Sequence, residues 1–147
     1  AVGEINVVKV MQEQNAVIGG EGNGGVICPD LHYGRDALVG VAIVLQLLAE
    51  KGLSSSEYRS TLPDYYMSKN KIQLNDLGKD ADDVLEMVKE HVFSLKPNTI
   101  DGVKIDFAEG WVHLRKSNTE PIIRIYSEGR SPEAAEGFAN KIFDLLK

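Results

Sequence analysis

The stretch Arg115-Lys116-Ser117-Asn118-Thr119-Glu120-Pro121-Ile122-Ile123-Arg124-Ile125-Tyr126 reads as a strand, a tight polar loop and a second strand. Two guanidinium groups flank a run of short hydroxyl and amide side chains, and the turn backbone between the strands can aim its N–H groups at one point. Such a loop suits an anion. Arginine gives planar, charge-assisted hydrogen bonds, Ser, Asn and Thr supply short donors, and successive turn amides form a concave nest. Phosphate is the natural guest. The same residues also fit a polar hairpin whose Ser-Asn-Thr satisfies only its own turn backbone.

Outward from this loop, the pattern builds an α+β unit. Val103, Ile105 and Phe107 alternate as a strand, Ala108-Glu109-Gly110 turns, Trp111 to Arg115 forms the partner strand, and Pro121 to Tyr126 the third. Lys71 to Leu74 alternates like a further strand. A helix is predicted from about Asp80 to Leu95, with Val84, Met87, Val88, Val92 and Leu95 on one stripe, His91 packing beside it, and Pro97 beyond. Ser131-Pro132 supplies an N-cap with proline at the first helical position, and Phe138, Ala139, Ile142, Phe143 and Leu146 face inward. Strand, helix, three strands, helix pack most economically as one antiparallel sheet with helices on a single face.

The upstream portion reads differently. Ile5, Val8 and Met11 have helical spacing over Glu4 to Gln14, Asn15 ends the helix, and Ala16-Val17-Ile18 is predicted as a short buried strand. Gly19-Gly20-Glu21-Gly22-Asn23-Gly24-Gly25 follows, with five glycines in seven positions. A ligand can approach such a backbone closely, while Glu21 and Asn23 project the functional groups. Gly20, Gly22 and Gly25 match G-x-G-x-x-G, but a dinucleotide fingerprint opens a helix, and here Val26-Ile27-Cys28-Pro29 is a strand stopped by proline. A carboxylate beside an amide suits sugar hydroxyls, which need an acceptor and a donor together; a β-turn with a solvated Glu is the plainer reading. From Arg35 to Lys51 apolar residues nearly encircle a helix ended by Gly52, so burial on most sides is expected, within a layered α/β unit larger than the part seen here. His32, Arg35 and Asp36 border it as cap and surface residues or as the rim of a site. Ser54 with Glu57 is a capping box, opening a short helix that Pro63 ends. Residues 54–70 read as a hinge between residues 1–53 and the unit at 71–147.

Composition narrows the partners. The chain has 147 residues, 43% hydrophobic and 26% charged, with a formal net charge of −6. That balance argues against a nucleic-acid backbone, which needs a basic face. The most apolar run, Ala37 to Ala49, is short for a bilayer and interrupted by Gly40 and Gln46, so no membrane partner is expected. The single cysteine, Cys28, forms no internal disulfide and reads as a buried packing thiol in a reduced, cytoplasmic setting. Ala1-Val2-Gly3-Glu4 enters structure without an initiator Met, which suggests a fragment; processing would give the same start.

With both loops placed, the sequence resembles the α-D-phosphohexomutases, the superfamily of phosphoglucomutase, phosphomannomutase and phosphoglucosamine mutase. The resemblance covers essentially the whole chain. Gly20 to Gly25 resembles the sugar-binding loop of the family's third domain, and Arg115 to Pro121 the phosphate-binding loop of its fourth. Val2-Gly3-Glu4 and Gly34-Arg35-Asp36 resemble further third-domain segments. The implied fold is the C-terminal part of a layered α/β third domain followed by an antiparallel-sheet α+β fourth domain. Carried over by position, Glu21 and Asn23, with Gly22 and Gly24 in the same loop, would hold sugar hydroxyls. Arg115, Ser117, Asn118 and Thr119 would grip a non-reacting phosphate, with Arg124 supporting the loop. Where many members continue with Gly-His, this chain has Gly24-Gly25.

The resemblance implies a mutase interconverting sugar 6-phosphate and sugar 1-phosphate through a phosphoserine and a bisphosphate, with glucosamine 6-phosphate the first choice of substrate. The phosphoserine and the Asp-rich Mg²⁺ loop would belong to a missing N-terminal half; no catalytic or metal residue is expected here, and the fragment alone is expected to be inactive. Alternatives are a phosphomannomutase or phosphoglucomutase, a non-catalytic sugar-phosphate binding module, and a structural domain whose loops are merely turns.

Overall fold

The computed structural model describes residues 1–117 and 119–146. They form two compact units, Ala1–Pro63 and Asp64–Lys147.

In the first unit, helix α1 (Glu4–Gln14) ends where Asn15 turns left-handed, at φ 50°, a conformation Asn tolerates better than most residues. Strands β1 (Gly19–Gly20), β2 (Val26–Cys28) and β3 (His32–Arg35) form an antiparallel sheet in that order. The strand predicted at Ala16 to Ile18 is displaced onto the glycines. The Ala16 N–H still closes α1, bonding to the Met11 carbonyl at 2.9 Å, and Val17 is 84% exposed. Gly19 then crosses the buried Met11 so closely that a Cβ would lie 2.2 Å from its sulfur, so any larger residue there requires the Met11 side chain to move.

Helix α2 (Ala37–Lys51) starts two residues later than predicted, because Asp36 is its N-cap: Oδ1 accepts from the N–H groups of Leu38 (2.9 Å) and Val39 (3.1 Å). None of its residues is buried, and Leu38 is 81% exposed. The covering expected for this helix is that of a layered α/β unit larger than the part seen here, and the described residues do not supply it. Three strands of two, three and four residues cannot mask an apolar surface that runs nearly round the helix. Cys28 is half-buried rather than fully packed. Helix α3 (Ser55–Ser60) carries the complete capping box of Ser54 and Glu57.

The second unit comprises β4 (Tyr66–Gln73), α4 (Leu74–Leu77), α5 (Ala81–His91), a 3-10 turn (Phe93–Leu95), β5 (Val103–Phe107), β6 (Gly110–Lys116), β7 (Ile122–Gly129) and α6 (Pro132–Leu145). The sheet is antiparallel in the order β4-β7-β6-β5. Strand β4 begins inside the stretch assigned to the hinge. Its ladder with β7 runs from Tyr66 opposite Gly129 to Gln73 opposite Ile122, which draws Tyr66 to Asn70 into the sheet. The helix predicted to Leu95 stops at His91, which is exposed rather than packed, and the chain tightens into the 3-10 turn.

Alternation divides this sheet into two faces. Val103, Ile105, Val112, Leu114, Ile123 and Ile125 meet Val84, Val88 and Val92 below α5 and Phe138, Ala139 and Ile142 of α6 in one core, so the helices share a face. Burying each large aliphatic side chain contributes about 1.5–3 kcal/mol. Ser127 is the polar member, its Oγ donating to the Ala135 carbonyl at 2.6 Å. The opposite face of the strands carries Lys69, Lys71, Arg124, Tyr126, His113, Arg115 and Trp111, and this face bears the candidate site.

Candidate functional site

The loop between β6 and β7 is closed by the Ser117 N–H bonding to the Ile122 carbonyl at 3.0 Å and the Ile122 N–H to the Glu120 carbonyl at 2.8 Å. Within it, Ser117 Oγ lies 3.4 Å from Thr119 Oγ1 and accepts from the Thr119 N–H at 3.4 Å. Two hydroxyls therefore lie together on one side of the turn, with the Thr119 amide engaged by Ser117 Oγ; an oxyanion seated there would take these donors over from the turn. Asn118, assigned to this group from the sequence, lies outside the described residues.

The flanking arginines are set by register. Arg115 on β6 sits directly opposite Arg124 on β7. Each is held by an acid: Arg115 Nη1 is 3.5 Å from Asp101 Oδ2, and Arg124 Nη2 is 3.2 Å from Glu120 Oε2. Arg124 Nη1 also donates to the Tyr126 hydroxyl at 3.4 Å; that contact, followed by the charges of Tyr126 and Glu120, holds the guanidinium's pKa above its ordinary value. Lys116 bonds to both carboxylate oxygens of Asp82, at 2.7 and 2.8 Å. Arg115 thus carries its carboxylate in a long, partly solvated contact, which an incoming phosphate can replace with a doubly charged acceptor, while Arg124 stays paired with Glu120.

The glycine loop of the first unit is equally defined. The Glu21 N–H bonds to the Gly25 carbonyl (3.2 Å) and the Gly24 N–H to the Glu21 carbonyl (3.0 Å), making a tight turn. Asn23 joins its side chain to both ends: Oδ1 accepts from the Gly25 N–H at 2.9 Å, and Nδ2 donates to Glu21 Oε2 at 3.4 Å. Glu21 Oε1 accepts from the Gly3 N–H at 3.0 Å. The carboxylate is oriented by these two donors and keeps lone pairs for hydroxyl groups. Gly22 and Gly24 are exposed at the tip.

Gly25, the departure from the Gly-His pattern, has a local cause. A Cβ there would lie 2.7 Å from Cδ of Arg35, whose stem packs over the loop. Arg35 is in turn fixed by Glu4, which accepts from its backbone N–H at 2.9 Å and from its Nε at 2.8 Å. Those contacts, the backbone N–H first and the guanidinium next, lower the Glu4 carboxyl below its ordinary range. Sequence reasoning left Glu4 unassigned because its partner lies 31 residues away. Asp101 was missed for the same reason.

The acidic run at the start of α5 is structural. Asp80 caps the helix by accepting from the Asp83 N–H at 2.9 Å, and Asp82 pairs with Lys116. Among the described residues no group of three or more His, Cys, Asp or Glu side chains is arranged to hold a metal ion, and no helix is long and apolar enough to cross a membrane.

Residues 69–145 match the family described as phosphoglucomutase/phosphomannomutase, C-terminal domain, and residues 1–66 match phosphoglucomutase/phosphomannomutase, alpha/beta/alpha domain III. The chain belongs to the phosphoglucomutase/phosphomannomutase family, and it carries sequence of that family's domain III followed by its C-terminal domain. It is 40% identical over 147 residues to a phosphoglucomutase/phosphomannomutase of Thermococcus kodakarensis. It is 37% identical over 148 residues to a phosphoglucosamine/phosphogalactosamine mutase of Sulfurisphaera tokodaii. Both matches cover 99% of this chain and 32% of the relative, so the chain spans about a third of these proteins' length. The crystal structure of a phosphoglucomutase/phosphomannomutase family protein from Burkholderia thailandensis shares the fold, with a TM-score of 0.77 over 99% of this chain and 31% of that one at 24% identity.

Proposed function

We propose that this chain is the substrate-recognition part of a phosphohexomutase that interconverts sugar 6-phosphate and sugar 1-phosphate, with glucosamine 6-phosphate the preferred substrate. The observation that carries the reading is the loop of Ser117 and Thr119, whose paired hydroxyls sit at the turn that joins the strands bearing the facing arginines Arg115 and Arg124. A phosphate seated there accepts from these groups and from Arg115, with Asn118 a further donor. Arg124 and its acid Glu120 brace the loop from the next strand. In the first unit, Glu21 accepts from sugar hydroxyls and Asn23 offers its amide to the same groups.

Recognition by these groups is indifferent to which phosphate of a bisphosphate is presented, because each phosphoryl group offers the same oxygens. That suits a reaction in which the sugar is held in two orientations. The transferring phosphoserine and Mg²⁺ are assigned to residues outside this sequence; Mg²⁺ would neutralise charge on the moving phosphoryl group. This chain alone is expected to bind and not to turn over substrate.

The sugar preference follows the form of the Gly20 to Gly25 loop, and two relatives with different printed sugars show why it needs a test. Specificity between a 2-amino and a 2-hydroxy sugar turns on a few contacts. The longer polypeptide containing this sequence should be assayed with the 6-phosphates of glucosamine, glucose and mannose. Highest kcat/KM with glucosamine 6-phosphate is expected; equal or better turnover of mannose or glucose phosphate overturns the sugar choice, and no turnover of any overturns the mutase.

A further inference from the structure

Asp101 is placed by its backbone rather than by its side chain. Just before β5, a bridge between Asn98 and Lys104, with N–H to carbonyl bonds of 2.8 and 2.9 Å, closes a short loop. Inside it, Asn98 Oδ1 accepts from the Ile100 N–H at 3.0 Å. The Asp101 carbonyl accepts from His113 Nε2 on β6 at 2.5 Å. Gly102 follows at φ 76°, a left-handed conformation that suits glycine, and a Cβ there would run into the Leu114 carbonyl oxygen and the Arg115 backbone. Strand β5 then pairs at once, Val103 opposite Leu114. The loop is pinned against β6 on both sides of Asp101, and its carboxylate is delivered to Arg115 without help from the ion pair.

That ion pair is weak. Arg115 Nη1 and Asp101 Oδ2 are 3.5 Å apart, and the two side chains are 29% and 30% exposed. A contact of this length and solvation adds little to stability. Its position matters more, because the carboxylate faces the guanidinium that stands beside the Ser117–Thr119 loop. A phosphate that takes this guanidinium over displaces the ion pair. The pinned backbone nevertheless keeps the Asp101 charge next to a guest of the same sign.

We propose that Asp101 is a fixed competitor for Arg115 that lowers the affinity of the Ser117–Thr119 loop for phosphate. The inference rests on the reading of that loop as a phosphate site and goes beyond it by naming what limits its grip. A loop that receives the two phosphates of a sugar bisphosphate in turn has to release one before it takes the other. A carboxylate always at hand for the arginine promotes that release.

The test is an NMR titration of the 147-residue chain with inorganic phosphate, against chloride at matched ionic strength. The signals followed are the amides of Ser117 and Thr119 and the Arg115 Nε–H. Asp101→Asn keeps the size of the side chain and removes its charge; Asp101→Ala removes both. Each variant should bind phosphate about three- to tenfold more tightly than the unmodified chain, the scale of one exposed ion pair and one screened repulsion. A residue that only supports the fold or aims Arg115 gives no such gain. The Arg115 Nε–H signal of the ligand-free chain should also move in both variants. Asp106→Asn is the same charge change on β5, in a carboxylate paired with Lys104, and should leave affinity within about twofold and the Arg115 signal in place.

Weaker binding in the Asp101 variants would overturn the competition and make Asp101 a residue that aims Arg115. Unchanged binding would overturn it too, as would an unmoved Arg115 signal, or an equal gain in Asp106→Asn, which would be an effect of net charge. All of these leave the phosphate loop standing. Absence of saturable shifts at Ser117 and Thr119 in the unmodified chain and in every variant would overturn the loop and the competition together. Loss of the native amide spectrum in both Asp101 variants would show that the carboxylate, not the backbone, fixes residues 98–102, and would overturn the proposal on that ground.

Discussion

The two units solve the same problem, presenting a polar loop to a ligand, with different means of support. In the second, twelve buried side chains from three strands, from α5 with its C-cap Val92, and from α6 make one core, and the anion loop is the short link between its two central strands. In the first, Met11 and Ile27 are the buried hydrophobic residues among those described, and the glycine loop is tied by polar contacts: Glu21 to Gly3, Asn23 to Gly25, Glu4 to Arg35. Apolar content is not the cause, since α2 is the more hydrophobic helix and yet buries no residue. What differs is whether a facing surface exists to receive the side chains. One loop is held by packing and the other by hydrogen bonds, and the two should therefore fail differently.

The largest difference should come from the cores. Ile125→Ala removes a fully buried side chain at the centre of the second sheet and should cost about 3–4 kcal/mol, read as a fall in that unit's denaturant midpoint. A loss below about 1 kcal/mol would mean that the core is not close-packed. Next is ligand contact. Arg115→Ala should weaken inorganic phosphate ten- to a hundredfold, about 1.4–2.7 kcal/mol, in a calorimetric titration, because it deletes a charged fork beside the loop. Unchanged affinity would leave Ser117 and Thr119 as turn residues only.

In the first unit, Gly25→Val should drive Arg35 off the loop and cost about 1–3 kcal/mol as an overpacking change, with hydrogen exchange rising at residues 21–25 and not in the second sheet. Exchange that rises equally in both units would erase the distinction drawn above.

Much of this was readable in advance, and the exceptions share a cause. Val103, Ile105 and Phe107 alternate because one face of their strand is covered, so β5 and its hairpin were plain in the pattern. Of strand β4 only the end was, Lys71 to Gln73; its start was not, since the core-facing positions there are Ser68 and Asn70, and an edge strand needs no apolar run. Likewise β7 runs on past Tyr126 through a buried Ser127 whose partner, Ala135, is on the next helix. For α2, composition told what the helix is able to bury and nothing about what lies beside it. At the site, the polar loop residues were visible as a motif, while the facing of Arg124 upon Arg115, and the acids Asp101 and Glu4, depend on register and on contacts distant in sequence.

Acidification should produce a smaller, directional effect. The Asp36 carboxyl is lowered first by the Val39 N–H and then by His32, and Glu4 is lowered by Arg35. Groups whose folded pKa is depressed give stability that is complete above their ordinary values, 3.8 for Asp and 4.5 for Glu, and that is lost as pH falls through the lower folded values. The first unit should therefore begin to loosen below about pH 4.5 while the packed sheet of the second persists, followed by site-resolved NMR. Simultaneous loss would show that these carboxylates do not limit the first unit. Smallest of all, Leu45→Ala on the uncovered face of α2, 61% exposed, should shift stability by no more than about 0.5 kcal/mol. A cost near that of Ile125→Ala would mean that this face is covered after all.

The most direct measurement is an amide-resolved titration of the chain with glucosamine 6-phosphate and, separately, with inorganic phosphate. The expected result is saturable shifts at Ser117 and Thr119 with both ligands, and at Gly20 to Gly25 with the sugar phosphate only. Absence of any saturable shift at Ser117 and Thr119 with either ligand would contradict the phosphate loop and the recognition role built on it.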